Sequence, residues 1–222
     1  MDYYVKQDEK FRKPLLTVQI IYCIAALVLV IHGIHEKSGY IISVSAGTVL
    51  LIPCLPLAAK LFHLKRGIQM ELYVYIFSFL GWTLGGAAMV YDLLPGFDKV
   101  VHFLSGIFVS MIAMCIYEML QRGSQEENRP LRCLFIFFAS VAVAGLFELC
   151  EFALTPVMGR DLQHVIDTGV TDTMQDIIAC TAGTVAFLLV SARSAKGKHD
   201  PFTNAAMAFT AKNRREPAAN KK

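Results

Sequence analysis

Six apolar stretches, at about 15–35, 40–62, 70–92, 99–120, 131–154 and 170–191, set the terms for this chain. Each reaches the roughly 20 residues with which a helix crosses about 30 Å of hydrocarbon. Lipid offers backbone N–H and C=O groups no partners, so a spanning segment of this length is helical. The expected fold is therefore all-α: a polytopic bundle of six transmembrane helices occupying 15–192. Residues 1–14 form a basic N-terminus. Residues 193–222 are polar and basic, and are expected to be a disordered tail. The connecting loops are short and leave no room for a soluble domain.

Composition agrees with this reading. Of 222 residues, 55% are hydrophobic and 18% charged, against about 25% charged in ordinary soluble domains. A net charge of +3 is too small and too scattered to argue for nucleic acid. The first apolar run follows Lys6, Lys10, Arg12 and Lys13, and no small-residue cleavage site comes after it, so it reads as a retained helix. The six cysteines form no C-x-x-C pair, which argues against a disulfide framework or a thiolate zinc site. They read as small buried thiols.

Lysine and arginine set the expected orientation. With the N-terminus inside, 18 of the 21 basic residues fall on cytoplasmic segments, and only Lys37, Lys99 and Arg160 lie outside. Both termini are thus expected in the cytoplasm. Small residues at four-residue spacing, Gly81 with Gly85 and Ala179 with Gly183, offer close helix contacts.

The acids do not follow the bases. Glu36, Asp92, Asp98, Glu148, Glu151, Asp161, Asp167, Asp172 and Asp176 fall on the outer side, with His32, His35, His102 and His164. The uncharged part of the last span, 177–190, is too short to cross alone, so Asp172 and Asp176 are drawn into the helix. Carboxylates in a transmembrane segment are costly and normally face the bundle interior or a wet cavity. Spacing then pairs the residues on helix faces: Asp98 with His102 (and Gly106 beyond), Glu148 with Glu151, Asp172 with Asp176, and His32 with His35.

Carboxylates with imidazole suit a divalent cation. They suit general acid–base chemistry as well. His102, Glu148, Glu151, Asp172 and Asp176 are the candidate metal ligands, and Asp98, His102, Glu148 and Glu151 the candidate catalytic groups. Lys99 and Arg160 are the cations that could bind an anionic substrate. Plainer roles exist for several of them. His32 and His35 could be interfacial side chains, Asp98 and Lys99 could anchor a helix end, Asp167 and Asp172 could cap one, and Asp161 and His164 could be solvated loop residues.

At these positions the sequence resembles a known pattern. The segment Phe97-Asp98-Lys99-Val100-Val101-His102-Phe103 is similar to the D-K-x-x-H-F signature of the VanZ-like membrane proteins. Phe147-Glu148-Leu149-Cys150-Glu151-Phe152 stands where that family has an acid motif, and Asp172-Thr173-Met174-Gln175-Asp176 with Gly183 where it has an Asp-led helix. The chain looks closer to the six-span YjdF-type proteins, where E-x-x-E and D-x-x-x-D replace E-x-x-Q and D-x-x-x-N. The resemblance covers roughly 92–186. It implies a multi-pass protein of the bacterial plasma membrane concerned with cell-envelope lipid or polymer chemistry. The acids Glu151 and Asp176 depart from the VanZ pattern and favour a bound cation.

Three functions follow as expectations. The first is a metal-dependent enzyme acting on an envelope lipid or polymer headgroup, with membrane lipids as its surroundings. The second is a cation- or proton-coupled transporter. The third is a non-catalytic envelope or stress-response scaffold. Acids clustered near one face and the lack of an inverted repeat weigh against transport.

Overall fold

A computed structural model describes residues 2–121, 128–194 and 200–213. All regular structure among them is helical. The order is α1 (Asp2–Glu9), α2 (Arg12–His35), α3 (Gly39–Leu61), α4 (Ile68–Ser78), a π-helical segment (Phe79–Ala87), α5 (Val90–Leu93), α6 (Phe97–Leu120), α7 (Arg129–Met158), α8 (Val165–Thr168), α9 (Thr171–Ser194) and α10 (Pro201–Asn213). Five stretches are long and apolar enough to cross a membrane: Tyr3–His35, Gly39–Leu61, Phe97–Leu120, Arg129–Met158 and Thr171–Arg193. Their outward faces are apolar; Leu27, Ile31, Leu50 and Leu57 are all exposed, as a lipid-facing surface requires.

The stretch expected as the third span behaves differently. It is helical from Ile68 to Ala87 but changes from α to π at Phe79. Ala88 N–H then bonds the Thr83 carbonyl, five residues back. The rod stops at Met89, which takes a left-handed conformation at φ 60°. Three glycines in nine residues (Gly81, Gly85 and Gly86) weaken the preference for the α ladder. Tyr91 folds back onto the gap they leave. A Cβ on Gly85 would lie 2.3 Å from the Tyr91 ring, and one on Gly81 would lie 3.5 Å from its hydroxyl. The small-residue pair read as a helix–helix contact therefore receives an aromatic ring.

Two prolines sit inside α3, Pro53 and Pro56. Pro56 has no N–H to give the Ile52 carbonyl one turn back. The Tyr75 hydroxyl of α4 donates to that carbonyl at 3.0 Å, and Tyr75 is fully buried. A neighbouring helix thus satisfies the acceptor that proline frees.

Helix α6 is the centre of the bundle and packs against α4, α7, α9 and α10. More than half of its apolar stretch is buried, against under a fifth for α2 and α3. Its closest partner is α9, and two glycines explain why. A Cβ on Gly106 would lie 2.0 Å from the Cys180 carbonyl oxygen, and one on Gly183 would lie 1.9 Å from that of Phe103. The two backbones touch where neither has a side chain.

The expected disordered tail needs correction. Within 193–222, residues 201–213 form α10, with Ala205, Ala206 and Ala208 almost completely buried. Phe202 stacks between Tyr73 and Phe108, at ring distances of 5.2 and 5.8 Å. The polar composition concealed a helix whose alanine face and two phenylalanines join the core. Residues 195–199 and 214–222 of that tail, and Arg122 of the segment expected to be the third cytoplasmic one, lie outside the described residues.

Helix α1 closes the same end. Gly67 at the start of α4 offers no side chain to cap it. Asp8 does so from a distance. It is fully buried and accepts the N–H groups of Ile68 at 3.0 Å and Gln69 at 2.7 Å, answering donors that a helix start leaves open. Lys212 of α10 donates to the same carboxylate at 2.5 Å and to Glu9 at 3.1 Å. Burial opposes the Lys212 charge, but these two hydrogen bonds outweigh it and hold the ammonium above the ordinary lysine range. The ammonium's share of the stability is therefore fully present below that range and is lost as pH rises through the raised value. Asp8→Ala is expected to cost about 3 kcal/mol or more, since it orphans two buried N–H groups and an ammonium. A thermal melt in detergent checks this, and an unchanged midpoint would remove Asp8 from the cap.

Candidate functional site

Two glycine corners start the helices that carry the acids. Gly96 (φ 82°) turns the chain from α5 into α6, and Gly169 (φ 62°) stands just before α9. With α6 and α9 pinned together below, their first turns face each other. Asp98, Lys99 and His102 of α6 meet Asp172 and Asp176 of α9.

Lys99 stands at the centre of the group. Its Nζ lies 2.9 Å from Asp98 Oδ2, 2.6 Å from Asp172 Oδ1 and 2.7 Å from Asp176 Oδ1. His102 Nε2 lies 3.3 Å from Asp98 Oδ1 and 3.8 Å from Asp176 Oδ1. The His102 ring also meets the Phe147 ring edge-on, with centroids 5.8 Å apart. Asp176 and His102 are buried, while Lys99 keeps part of its side chain open. Asp98, His102 and Asp176 bring one ligand atom each within 4.8 Å of one another.

The expected ligand set thus divides. Asp98, placed among catalytic groups, joins His102 and Asp176. Asp172 is tied to the group through Lys99, and Glu148 and Glu151 stand outside the convergent three. Glu148 is buried on α7; its Oε2 accepts a 3.3 Å bond from Gln163 Nε2, and its Oε1 has no partner. Glu151 is half-buried, close enough to Glu148, His102, Asp98 and Asp176 to feel their charges.

Arg160 is engaged elsewhere. It donates to Asp92 Oδ2 at 2.6 Å and stacks on Tyr40 at 4.5 Å, which ties the loop after α7 to α5 and α3. His32 and His35 do not join the site; they are exposed on α2, where His35 meets Glu36 at 3.1 Å. Asp161 accepts the Ile166 N–H at 2.8 Å and organises the loop around α8. His164 and Asp167 line the entrance.

That entrance is a cleft of about 190 Å³, lined by Tyr91, Gly96, Asp98, Lys99, His164, Asp167, Thr168 and Asp172. Asp176 and His102 lie behind the Lys99 ammonium. The site is polar, strongly acidic and open at one side.

Sequence reasoning passed over Gln163. Its amide donates to the Glu148 carbonyl at 3.1 Å and to Thr173 at 3.4 Å, joining the loop to α7 and α9. Nothing in its local sequence marks it. Tyr91 was passed over too, although its place between a glycine-rich segment and Asp98 is a usable signal.

A family model described as predicted membrane protein matches residues 15–197. The chain belongs to that family, DUF2238. The match spans all five candidate membrane helices except the start of the first, and it covers the whole acidic site. No curated protein and no solved structure matches the chain. The family assignment supports a multi-pass membrane protein and is silent on chemistry.

Proposed function

We propose that this chain is a membrane enzyme that holds a divalent metal ion between α6 and α9 and acts on the headgroup of an envelope lipid or polymer. One observation carries the reading. Asp98, Asp172 and Asp176 converge on a single ammonium, Lys99. When all four are ionised, two negative charges remain uncompensated beside a His102 nitrogen able to coordinate. Carboxylate oxygens with one imidazole nitrogen suit a divalent ion. Burial makes such an excess of like charge costly without one.

Lys99 sits on carboxylates of two of the three ligands, so a metal ion competes with it. With Asp98, His102 and Asp176 holding an ion, the Lys99 ammonium would be left to turn towards the cleft. There Lys99 would meet an anionic headgroup, the role expected for it. The metal would polarise a phosphoryl or ester bond. Glu151 and Glu148 stand within electrostatic reach as proton acceptors. Orientation belongs to the same proposal: α4 and the π segment together make the third of six spans, both termini are cytoplasmic, and the cleft opens outward in the bacterial plasma membrane. The likeness to YjdF-type and VanZ-like sequences supports the envelope context.

The test is metal content of detergent-purified protein, wild type beside Asp176→Asn. Near-stoichiometric divalent metal in the wild type, lost in the variant with helicity retained, is the expected result. Absence of metal from both after reconstitution would overturn the reading and turn attention to the scaffold. The transporter reading draws on a different observation. Below the site, the Ser140 and Thr184 hydroxyls meet at 2.7 Å in full burial, an inward polar step. Cation flux in proteoliposomes would separate it from an enzyme.

A further inference from the structure

The end of the bundle opposite the acidic site carries a second device. Helix α10 lies against the inner halves of α4 and α6. It covers Phe108, Met111, Met114 and Cys115 of α6. Its 13 residues make a rod of about 20 Å, too short to span, so it is a helix seated in the bundle from one end. Residues 195–199 join it to α9.

The seat is closed by polar contacts at its rim. Lys212 reaches Asp8, Glu9 and the Arg66 carbonyl. Asn213 accepts the Lys65 N–H at 2.6 Å and donates to the Lys65 carbonyl at 2.9 Å. The far end is held through Gln69, whose amide donates to the Pro201 carbonyl at 3.0 Å. All of these partners belong to α1, the loop before α4, or α4 itself.

Inside, the fit is less complete. Thr203 and Thr210 are buried on α10; the Thr203 hydroxyl has no hydrogen-bond partner, and the Thr210 hydroxyl meets the Cys115 thiol, a weak one. A buried polar group without a partner opposes docking. The same hydroxyls are satisfied by water when the helix leaves. An ion-paired rim over one unpartnered hydroxyl and one weakly partnered hydroxyl is the arrangement of a contact that can open.

We propose that α10 is a reversible plug of the inner end of the bundle, latched to α1 and α4 by Lys212 on Asp8. Its departure uncovers the apolar seat on α6, while the α6–α9 contact that builds the acidic site stays closed. The plug is independent of the metal reading.

Two native cysteines provide the test. Cys115 and Cys180 are both almost fully buried. Cys115 lies under α10, its Sγ 3.7 Å from the Ala206 carbonyl. Cys180 lies in the α6–α9 contact, where nothing detachable covers it. Single-cysteine variants of the full chain would be labelled with a small maleimide in native conditions. A reversible plug makes Cys115 react at least about tenfold faster than Cys180, because local opening outruns global unfolding. Lys212→Met should speed Cys115 by about tenfold more and leave Cys180 unchanged. Asn213→Ala, which removes the bridge to Lys65 and a bond to the Phe209 carbonyl within α10, should move Cys115 the same way by a smaller factor. Equal rates at Cys115 and Cys180 in wild type and in Asn213→Ala would overturn the plug. So would a Lys212→Met effect that accelerates both cysteines alike, since that reports unfolding.

Discussion

Gly106→Val is expected to yield no folded protein. At Gly106 even the first side-chain carbon would lie 2.0 Å from the Cys180 carbonyl oxygen and 2.9 Å from the Thr184 nitrogen. Both obstacles are backbone, so no rotamer change relieves them. The helices must separate along their length. Separation pulls Lys99 from Asp172 and Asp176, now 2.6 and 2.7 Å away. Overpacking a core costs about 1–3 kcal/mol where neighbours yield and more where they cannot. Total stabilities run to about 5–15 kcal/mol. Gly106→Ala should therefore already lower the melting midpoint sharply, and valine should abolish the monodisperse detergent-extracted form. Gly145 and Gly47 are the controls, since a Cβ on either meets nothing within 4 Å. Alanine at each should be neutral or gain up to about 1 kcal/mol of helix propensity. A Gly106→Ala protein that melts like wild type would mean that α6 and α9 are not in backbone contact.

The second large effect is at Lys99. In buffer with chelator, Lys99→Met should lose about 3 kcal/mol. Breaking a buried pair costs roughly 3–5 kcal/mol, and the 26% exposure of the Lys99 side chain places this one toward the lower end. Three carboxylates are then left to repel one another. Adding Asp176→Asn removes one of those charges and should return part of the loss, so the two changes are not additive. A divalent cation distinguishes a ligand site from a purely structural cluster. Lys99→Met removes the competitor for the ligand oxygens. The variant should gain more thermal stability from metal than wild type does, by binding to the folded state alone. Equal stability of wild type and variant in chelator would show that the ammonium is not the charge holding the site together. A destabilised variant that metal does not rescue would leave the ion cluster as structure and defeat the metal reading.

Legibility in the sequence differed from one feature to the next. Helix spacing placed Asp98 with His102 and Asp172 with Asp176 on common faces, and the α6–α9 contact brings those faces together. The same logic put His32 and His35 on one face of α2, yet that face is exposed. Periodicity says which residues share a face and nothing about which helix receives it. Glu148 and Glu151 share a face as well, but the three-residue convergence includes neither. The missing information was the distance between axes, which depends on side-chain size at the crossing.

Hydrophobic length determined by itself that this chain is a helical membrane protein, because lipid permits no other partner for the backbone over about 20 residues. The cost of charge in lipid determined that Asp172 and Asp176 face inward. The tertiary structure alone decided which groups converge. Gly106 and Gly183 draw α6 and α9 together and so place Lys99 among three aspartates. Tertiary packing also turned part of a polar tail into α10, and it gave α4 its cap from Asp8, 60 residues away in the chain. Contacts between residues distant in sequence depend on shape at helix crossings, and local composition carries no record of that.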